Sequence, residues 1–390
     1  MHWSEIPREA KMYMLYHTVI EPQLIVWLLF PLYLMKTGYS ILEVGAFFTV
    51  VNIASIPLTY LFGRMFNNWD IKKGLIAIDF LDGVAYILYG FAKGAIAPLL
   101  LFIGRLIEKL SEMLYPLYRA YEQIIYPRDR YEEIFAWHLR LPEISRLISF
   151  PILGYIFGYI YPEPSHYRMA FLVFGLLSAF TITYLWLFLP SVERKERISP
   201  EGFKFKVHEF KLLLAFEGLL TIAWSLAPTI VLLNYVVFTL KKTIFEVTLI
   251  SCASSLATIA GTYVSEKIPK EKGFQAITIG MLINAFYALV MSLSPPFWMV
   301  LIAYSLGDFG LAVWFPFYRA WMFRLIPNER VSEFHAAISS YRRVIELVAP
   351  VLAGALATLH PTLPYAVSLV GFLLAGLLFI IIRRRREVTQ

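Results

Sequence analysis

Apolar runs long enough to cross a bilayer recur twelve times along these 390 residues, and that recurrence constrains the fold more than any other feature. A spanning helix needs roughly 20 mostly apolar residues. Bounded by charge, Gly or Pro, the runs cover 13–35, 41–62, 74–92, 97–124, 134–160 and 168–189, then 211–238, 244–264, 274–294, 297–324, 333–359 and 363–382. In lipid the backbone polar groups must be satisfied within each segment, so the runs are expected to be helices. The expected fold class is an all-α polytopic membrane protein with twelve transmembrane helices. Composition agrees, with 58% of residues apolar and 16% charged. A soluble domain carries about 25% charged residues, so disorder, polar repeats and an ordinary soluble enzyme are excluded.

One long polar segment, SVERKERISPEGFKFKVHEF at 191–210, separates six spans from six. The expected domains are an N-terminal six-helix bundle at 1–190, a cytoplasmic linker at 191–210, and a C-terminal six-helix bundle with a basic tail at 211–390. Of the 35 Lys and Arg residues, 22 fall on the side that holds the linker and both termini, 5 on the other side and 8 within spans. Because basic residues collect on the cytoplasmic side, both termini are expected in the cytoplasm and the protein in the plasma membrane. The net charge of +7 reflects this asymmetry and gives no sign of nucleic-acid binding. The N-terminal MHWSEIPREAKMYMLYH mixes both charge signs and has no small-residue cleavage site, so no removable signal peptide is expected.

The chain also repeats itself. YPLYRAYEQIIYPRDR (115–130) aligns with FPFYRAWMFRLIPNER (315–330) at an offset of 200 residues, matching Tyr118 with Tyr318 and Arg119 with Arg319. SILEV at 40–44 likewise aligns with TIFEV at 243–247, and SFPILG at 149–154 with VAPVLAG at 348–354. An offset containing six spans brings both copies into the membrane from the same side, as in a parallel duplication about an axis along the membrane normal.

With these features the sequence resembles the major facilitator superfamily. The loop GRMFNNWDIKKG after the second span stands where that family carries G-x-x-x-D-R-x-G-R-[RK], and Gly63, Lys72 and Lys73 match it. Asn67, Asn68, Asp70 and Ile71 depart from the pattern. Arg105 with Glu108 is similar to the family's fourth-helix motif of an Arg followed by a polar residue three positions later. Pro151 with Gly154, and Pro350 with Gly354, resemble shortened G-P-x-x-G-G elements. The resemblance implies two pseudo-symmetric bundles, a central site lined by spans one, four, seven and ten, and a gating loop that includes Gly63, Lys72 and Lys73. It implies secondary transport by alternating access.

A charge at the bilayer centre costs from about 2.5 to more than 10 kcal/mol, so embedded ions should face the bundle interior and find partners. The fourth span carries Arg105, Glu108, Lys109, Glu112 and Arg119 on one stripe, and the tenth repeats it more thinly with Ser305, Asp308 and Arg319. The fifth span adds Arg140, Glu143 and Arg146, the eleventh Arg342, Arg343 and Glu346, and the first and seventh Glu21 and Glu217. Candidate substrate or proton-coupling residues are therefore Glu21, Arg105, Glu108, Glu112, Arg146, Glu217, Asp308, Arg342 and Glu346. Within this set Glu21, Glu108 and Asp308 are expected proton carriers, with Arg146 and Arg342 as anion or counter-ion groups. Arg119 and Arg319, near span ends, are expected as gate or snorkelling residues.

Structural roles compete with these. The stripe on the fourth span reads equally as a self-neutralised network holding it against the fifth. Glu43 and Glu246 sit where a carboxylate favours a helix start. Asp79 and Asp82 are expected to pair with a base on a neighbouring span. Trp27, Tyr115, Trp224 and Trp314 either pack in the core or touch a solute. Cys252 is alone, and the seven histidines at 2, 17, 138, 166, 208, 335 and 360 form no i, i+4 pair, so no disulfide or metal site is expected.

The expectation is a secondary transporter, not an enzyme, that uses no cofactor and has no phosphate-binding loop of the G-x-x-x-x-G-K-[ST] type. Its expected partners are a small-molecule substrate, protons or another coupling ion, and the lipid bilayer, with the protein monomeric. Export of an amphipathic or anionic compound is favoured. The competing class is a non-transporting membrane sensor or partner subunit of the same fold.

Overall fold

The computed structural model describes residues 3–66, 70–127, 131–192, 207–325 and 331–389. Among them the chain forms twelve long helices and no strand. These are α1 (Arg8–Lys36), α2 (Ile41–Phe66), α3 (Ile71–Phe91), α4 (Ala97–Leu114, continuing as Pro116–Ile125), α5 (Tyr131–Tyr155) and α6 (Pro164–Phe188). The second set is α7 (Val207–Ser225, resuming as Thr229–Leu233 and Asn234–Thr239), α8 (Ile244–Lys267), α9 (Gly273–Ser292), α10 (Phe297–Leu325), α11 (Val331–Leu359) and α12 (Leu363–Thr389).

Among the described residues nine of these helices are long and apolar enough to cross a membrane. The exceptions are α4, α5 and α11, and the reason is charge, not length. They are the helices on which the sequence places Arg105 to Glu112, Arg140 to Arg146, and Arg342 to Glu346.

Two compact units emerge. One comprises Met1–Gly38 with Phe47–Arg197, the other Tyr39–Ala46 with Ile198–Gln390. In the first, α3 packs against α4 and α6 while α1 packs against α5. In the second, α9 packs against α10 and α12 while α7 packs against α11 and α12. In the second unit α10 also packs against α8.

Within the first unit, α3 and α6 approach backbone to backbone. A Cβ on Gly83 would lie 2.8 Å from that of Ser178, and one on Gly175 would lie 2.9 Å from the Gly83 carbonyl. Small residues make such contact possible where lipid supplies no hydrophobic drive between helices. Phe30 of α1, Tyr89 of α3 and Phe171 of α6 lock the other side, with ring centres 4.2 Å apart for Phe30–Tyr89 and 5.6 Å for Tyr89–Phe171. The second unit is held by Phe379 of α12, whose ring lies 5.4 Å from Phe216 of α7, 5.6 Å from Phe274 of α9 and 5.4 Å from Trp321 of α10. Each such aromatic pair adds about 0.5–1.5 kcal/mol beyond burial of its area.

Helix starts follow local chemistry. Thr243 and Glu246 form a reciprocal cap at the start of α8, with the Thr243 N–H donating to Glu246 at 2.8 Å. The Ser40 N–H donates to Glu43 at 2.7 Å in the same way at α2, so both glutamates cap helices as their positions implied. Asp70, a departure from the family loop, caps α3 by accepting from the Lys72 and Lys73 N–H groups at 2.7 and 3.3 Å.

Candidate functional site

Heptad-like spacing brings the charged residues of α4 onto one face, and the structure joins them into a ladder. The Arg105 guanidinium lies between two acids, 2.8 Å from Glu108 and 2.8 Å from Glu112, and Lys109 reaches Glu112 at 2.6 Å. Tyr89 of α3 donates to Glu108 at 2.5 Å, and the Phe48 ring of α2 stacks 5.2 Å from the Arg105 guanidinium. Glu108 is 2% exposed. At that depth one unpaired member would be an uncompensated charge, so the four charges must stay together.

A second constellation lies on α1 and α5. Arg146 donates to Glu21 through Nε at 2.6 Å and again through Nη2, and its Nη1 lies 3.2 Å from Glu143. Glu21 occupies a tighter-wound stretch, Glu21–Ile25, with Pro22 at its start. The Pro lacks an N–H and locally breaks the α-helical pattern of α1, which turns the Glu21 carboxylate toward α5.

The second unit handles its polar residues differently. Glu217 accepts from the Tyr318 hydroxyl, and Thr221 donates to the Glu217 carbonyl at 2.7 Å. Asp308 lies beside Tyr287 and Tyr304, whose neighbour Tyr365 is 2.7 Å from Tyr304 hydroxyl to hydroxyl. Asn284 is fully buried, donates to the Gly307 carbonyl at 2.8 Å and accepts from the Trp314 indole at 2.9 Å. Trp314 is thereby a core residue. Arg342 and Glu346 approach to 3.7 Å with side chains 49% and 40% exposed, a loose pair.

The structure therefore brings Arg105, Glu108 and Glu112 together, and separately Glu21 with Arg146, Tyr318 with Glu217, and Arg342 with Glu346. Of the gating residues, Lys72 is tied to the Trp186 carbonyl of α6 at 2.8 Å. The Gly63, Arg119 and Arg319 positions lie in helices, but their side-chain surroundings, like residues 67–69 of the loop, lie outside the described residues. Trp27 is 45% exposed.

Asp79 and Asp82 depart from expectation. They meet hydroxyl groups, not bases. Tyr16 donates to Asp79 at 2.6 Å, and Asp82 lies beside Ser111 and Glu108. The physical reason is geometric, since the bases of α4 are already taken by Glu108 and Glu112. Tyr89, Asp82, His17, His138 and Glu122 were not among the sequence-derived candidates. The signal for the first two was the spacing on α3, where Asp79, Asp82, Tyr86 and Tyr89 follow one stripe; the histidines gave none, because they meet only across α1 and α5.

A family model described as Major Facilitator Superfamily matches residues 23–345. No curated protein matches the chain. Among solved structures, the fold is similar to a bacterial homologue of the iron transporter ferroportin in an inward-facing state, at 15% identity and TM-score 0.74 over 96% of this chain and 98% of that one. A nucleoside transporter aligns at 12% identity and TM-score 0.70 over 96% and 98% of the two chains. A POT family transporter in complex with a thioalcohol-conjugated peptide aligns at 13% and 0.68 over 99% of each.

Proposed function

We propose that this chain, which belongs to the major facilitator superfamily, is a proton-coupled secondary transporter that moves a small solute by alternating access. Bundles 1–190 and 211–390, joined by the linker 191–210, rock about a central site in the plasma membrane, with both termini cytoplasmic and the protein monomeric. The observation that carries this reading is the Arg105-centred ladder of α4. A buried ion network is weaker than an apolar contact of the same volume, so its presence in a membrane helix favours function over scaffolding. A carboxylate held between a base and a hydroxyl can exchange that base for a proton when its surroundings change. Glu108, between Arg105 and Tyr89, is arranged for this role, and Glu21 beside Arg146 and Asp308 beside Tyr287 and Tyr304 are the further proton carriers of the proposal. The embedded bases Arg105, Lys109 and Arg146 favour an anionic or amphipathic organic solute.

The test uses purified protein in liposomes. Thermal-shift screening of organic anions, nucleosides, short peptides and iron salts across pH first identifies a ligand. Flux of that ligand is then driven by a pH gradient, and amide replacements at Glu21, Glu108 and Asp308 should each uncouple uptake from the gradient. Unchanged gradient-driven uptake in all three variants overturns the coupling. Ligand binding without any flux by the native protein indicates a sensor instead of a transporter.

A further inference from the structure

Inside the first unit, polar groups that the ladder does not use form an interrupted file through α1, α3, α4 and α5. On α1, Tyr13, Tyr16 and His17 point into an apolar core that contains Leu75, Ile78, Leu114 and Leu117. The His17 ring lies 4.8 Å from that of His138 on α5 and 5.0 Å from that of Tyr118 on α4. His138 is 3.7 Å from Glu122 and 2.6 Å from the Tyr126 hydroxyl, and Tyr13 donates to Glu122 at 3.2 Å. From Tyr118 the file continues to Tyr16, hydroxyl to hydroxyl at 3.1 Å, and Tyr16 donates to Asp79 at 2.6 Å. Asp82, one turn further along α3, lies beside Ser111 and Glu108 of the ladder.

Two features single out the aspartates. Among the described residues neither forms an ion pair with Lys, Arg or His, and one oxygen of each, Asp79 Oδ2 and Asp82 Oδ1, is buried without a hydrogen bond. Among the described residues the local charge is also unbalanced, since Asp82, Glu108 and Glu112 stand against Arg105 and Lys109. A buried carboxylate with no counter-ion and one bare oxygen is disfavoured as an ion even where a hydroxyl donates to its other oxygen, as Tyr16 does at Asp79, and it is neutralised by a proton or a cation. A proton on the bare oxygen neutralises each carboxylate without any further ligand. His17 Nε2 is likewise buried without a partner and offers a further position for it.

We propose that His17, His138, Asp79 and Asp82 form a proton-binding relay within the first unit, delivering protons to the Arg105–Glu108 ladder. This deepens the reading of a proton-coupled transporter and rests on it. One proton moves at each step between neighbouring heteroatoms, each tyrosine hydroxyl accepting one and releasing another, so no co-reactant is needed. The contact of the tilted histidine rings, the gap between the aspartates and the step from Asp82 to Glu108 are those that ring rotation or a bridging water must complete.

The experiment reads proton binding on the full-length protein in lipid nanodiscs with no solute present. Imidazole resonances of His17 and His138 should titrate as a coupled pair, with two shared steps. In infrared difference spectra across the same pH series, Asp79→Asn and Asp82→Asn should each lose one protonated-carboxyl band. Asp79→Asn should also move the histidine midpoints. Tyr16→Phe keeps every ionisable acid and histidine but cuts the hydroxyl bridge, so it should reproduce that movement if the aspartate variants fail to fold. Histidines that titrate independently and are unmoved in every folded variant, with all carboxyl bands retained, overturn the relay. Intact proton binding in a protein that moves no solute overturns the transport reading and leaves the relay standing.

Discussion

The two units share a helix order, yet their corresponding helices α4 and α10 treat buried polarity differently. On α4 the first unit carries Arg105, Glu108, Lys109 and Glu112 as ions in mutual contact. At the same offset α10 carries Ser305, Asp308, Phe309 and Ala312. Ser305 turns back to donate to the Leu301 carbonyl of its own helix at 2.8 Å, and Ala312 is buried. Beneath them Asp79 and Asp82 of α3 correspond to Thr278 and Met281 of α9. The place of charge is taken by Asn284, which bridges Gly307 and Trp314 with two neutral hydrogen bonds. A duplicated scaffold can thus keep its helices while one copy of the fourth helix becomes ionised, because the packing contacts rest on Gly, aromatic and aliphatic residues that the charges do not replace.

Substitutions can break this contrast. The largest effect is expected for Arg105→Met, which leaves Glu108 and Glu112 without their shared base and should cost about 3–5 kcal/mol of stability. Asn284→Ala strands the Trp314 indole and the Gly307 carbonyl, a neutral loss of about 1–3 kcal/mol. Chemical denaturation of the purified protein in detergent measures both, and equal losses would erase the distinction between the ionic ladder of α4 and the neutral Asn284 bridge. The cap variants Ser40→Ala and Thr243→Ala should each cost about 1 kcal/mol by the same measurement, since the same signature occurs in both repeats. A clear inequality between them would show that even the shared local features have diverged. Smallest is Arg342→Ala, which opens a loose and half-exposed pair and should change stability by about 0–1 kcal/mol.

Much of the architecture was legible in the chain itself. Helix boundaries at α2, α6, α8 and α9 lie within a few residues of the apolar runs, because each run is bounded by Gly, Pro or charge that physically ends a membrane helix. The capping role of Glu43 and Glu246 was equally local, needing only a hydroxyl three residues earlier. The ladder was half legible. Spacings of three and four place its members on one face, but which acid takes which base depends on Tyr89 and Phe48, which arrive from α3 and α2. The break at Tyr115 within α4 was not foreseen, since the matching Phe315–Pro316 sits inside an unbroken α10.

The sequence by itself determined that the chain must lie in a membrane, cross it as paired sets of six helices, and concentrate its charge on α4, α5 and α11. These follow from period, hydropathy and repetition, which are properties of neighbours along the chain. Only the tertiary structure decided that Glu21 meets Arg146 across α1 and α5, that Asp79 and Asp82 find hydroxyls instead of bases, and that His17 lies against His138. Such pairings join residues up to 125 positions apart, as Glu21 and Arg146 are, and the apolar packing of the helices between them sets which polar atoms come within reach.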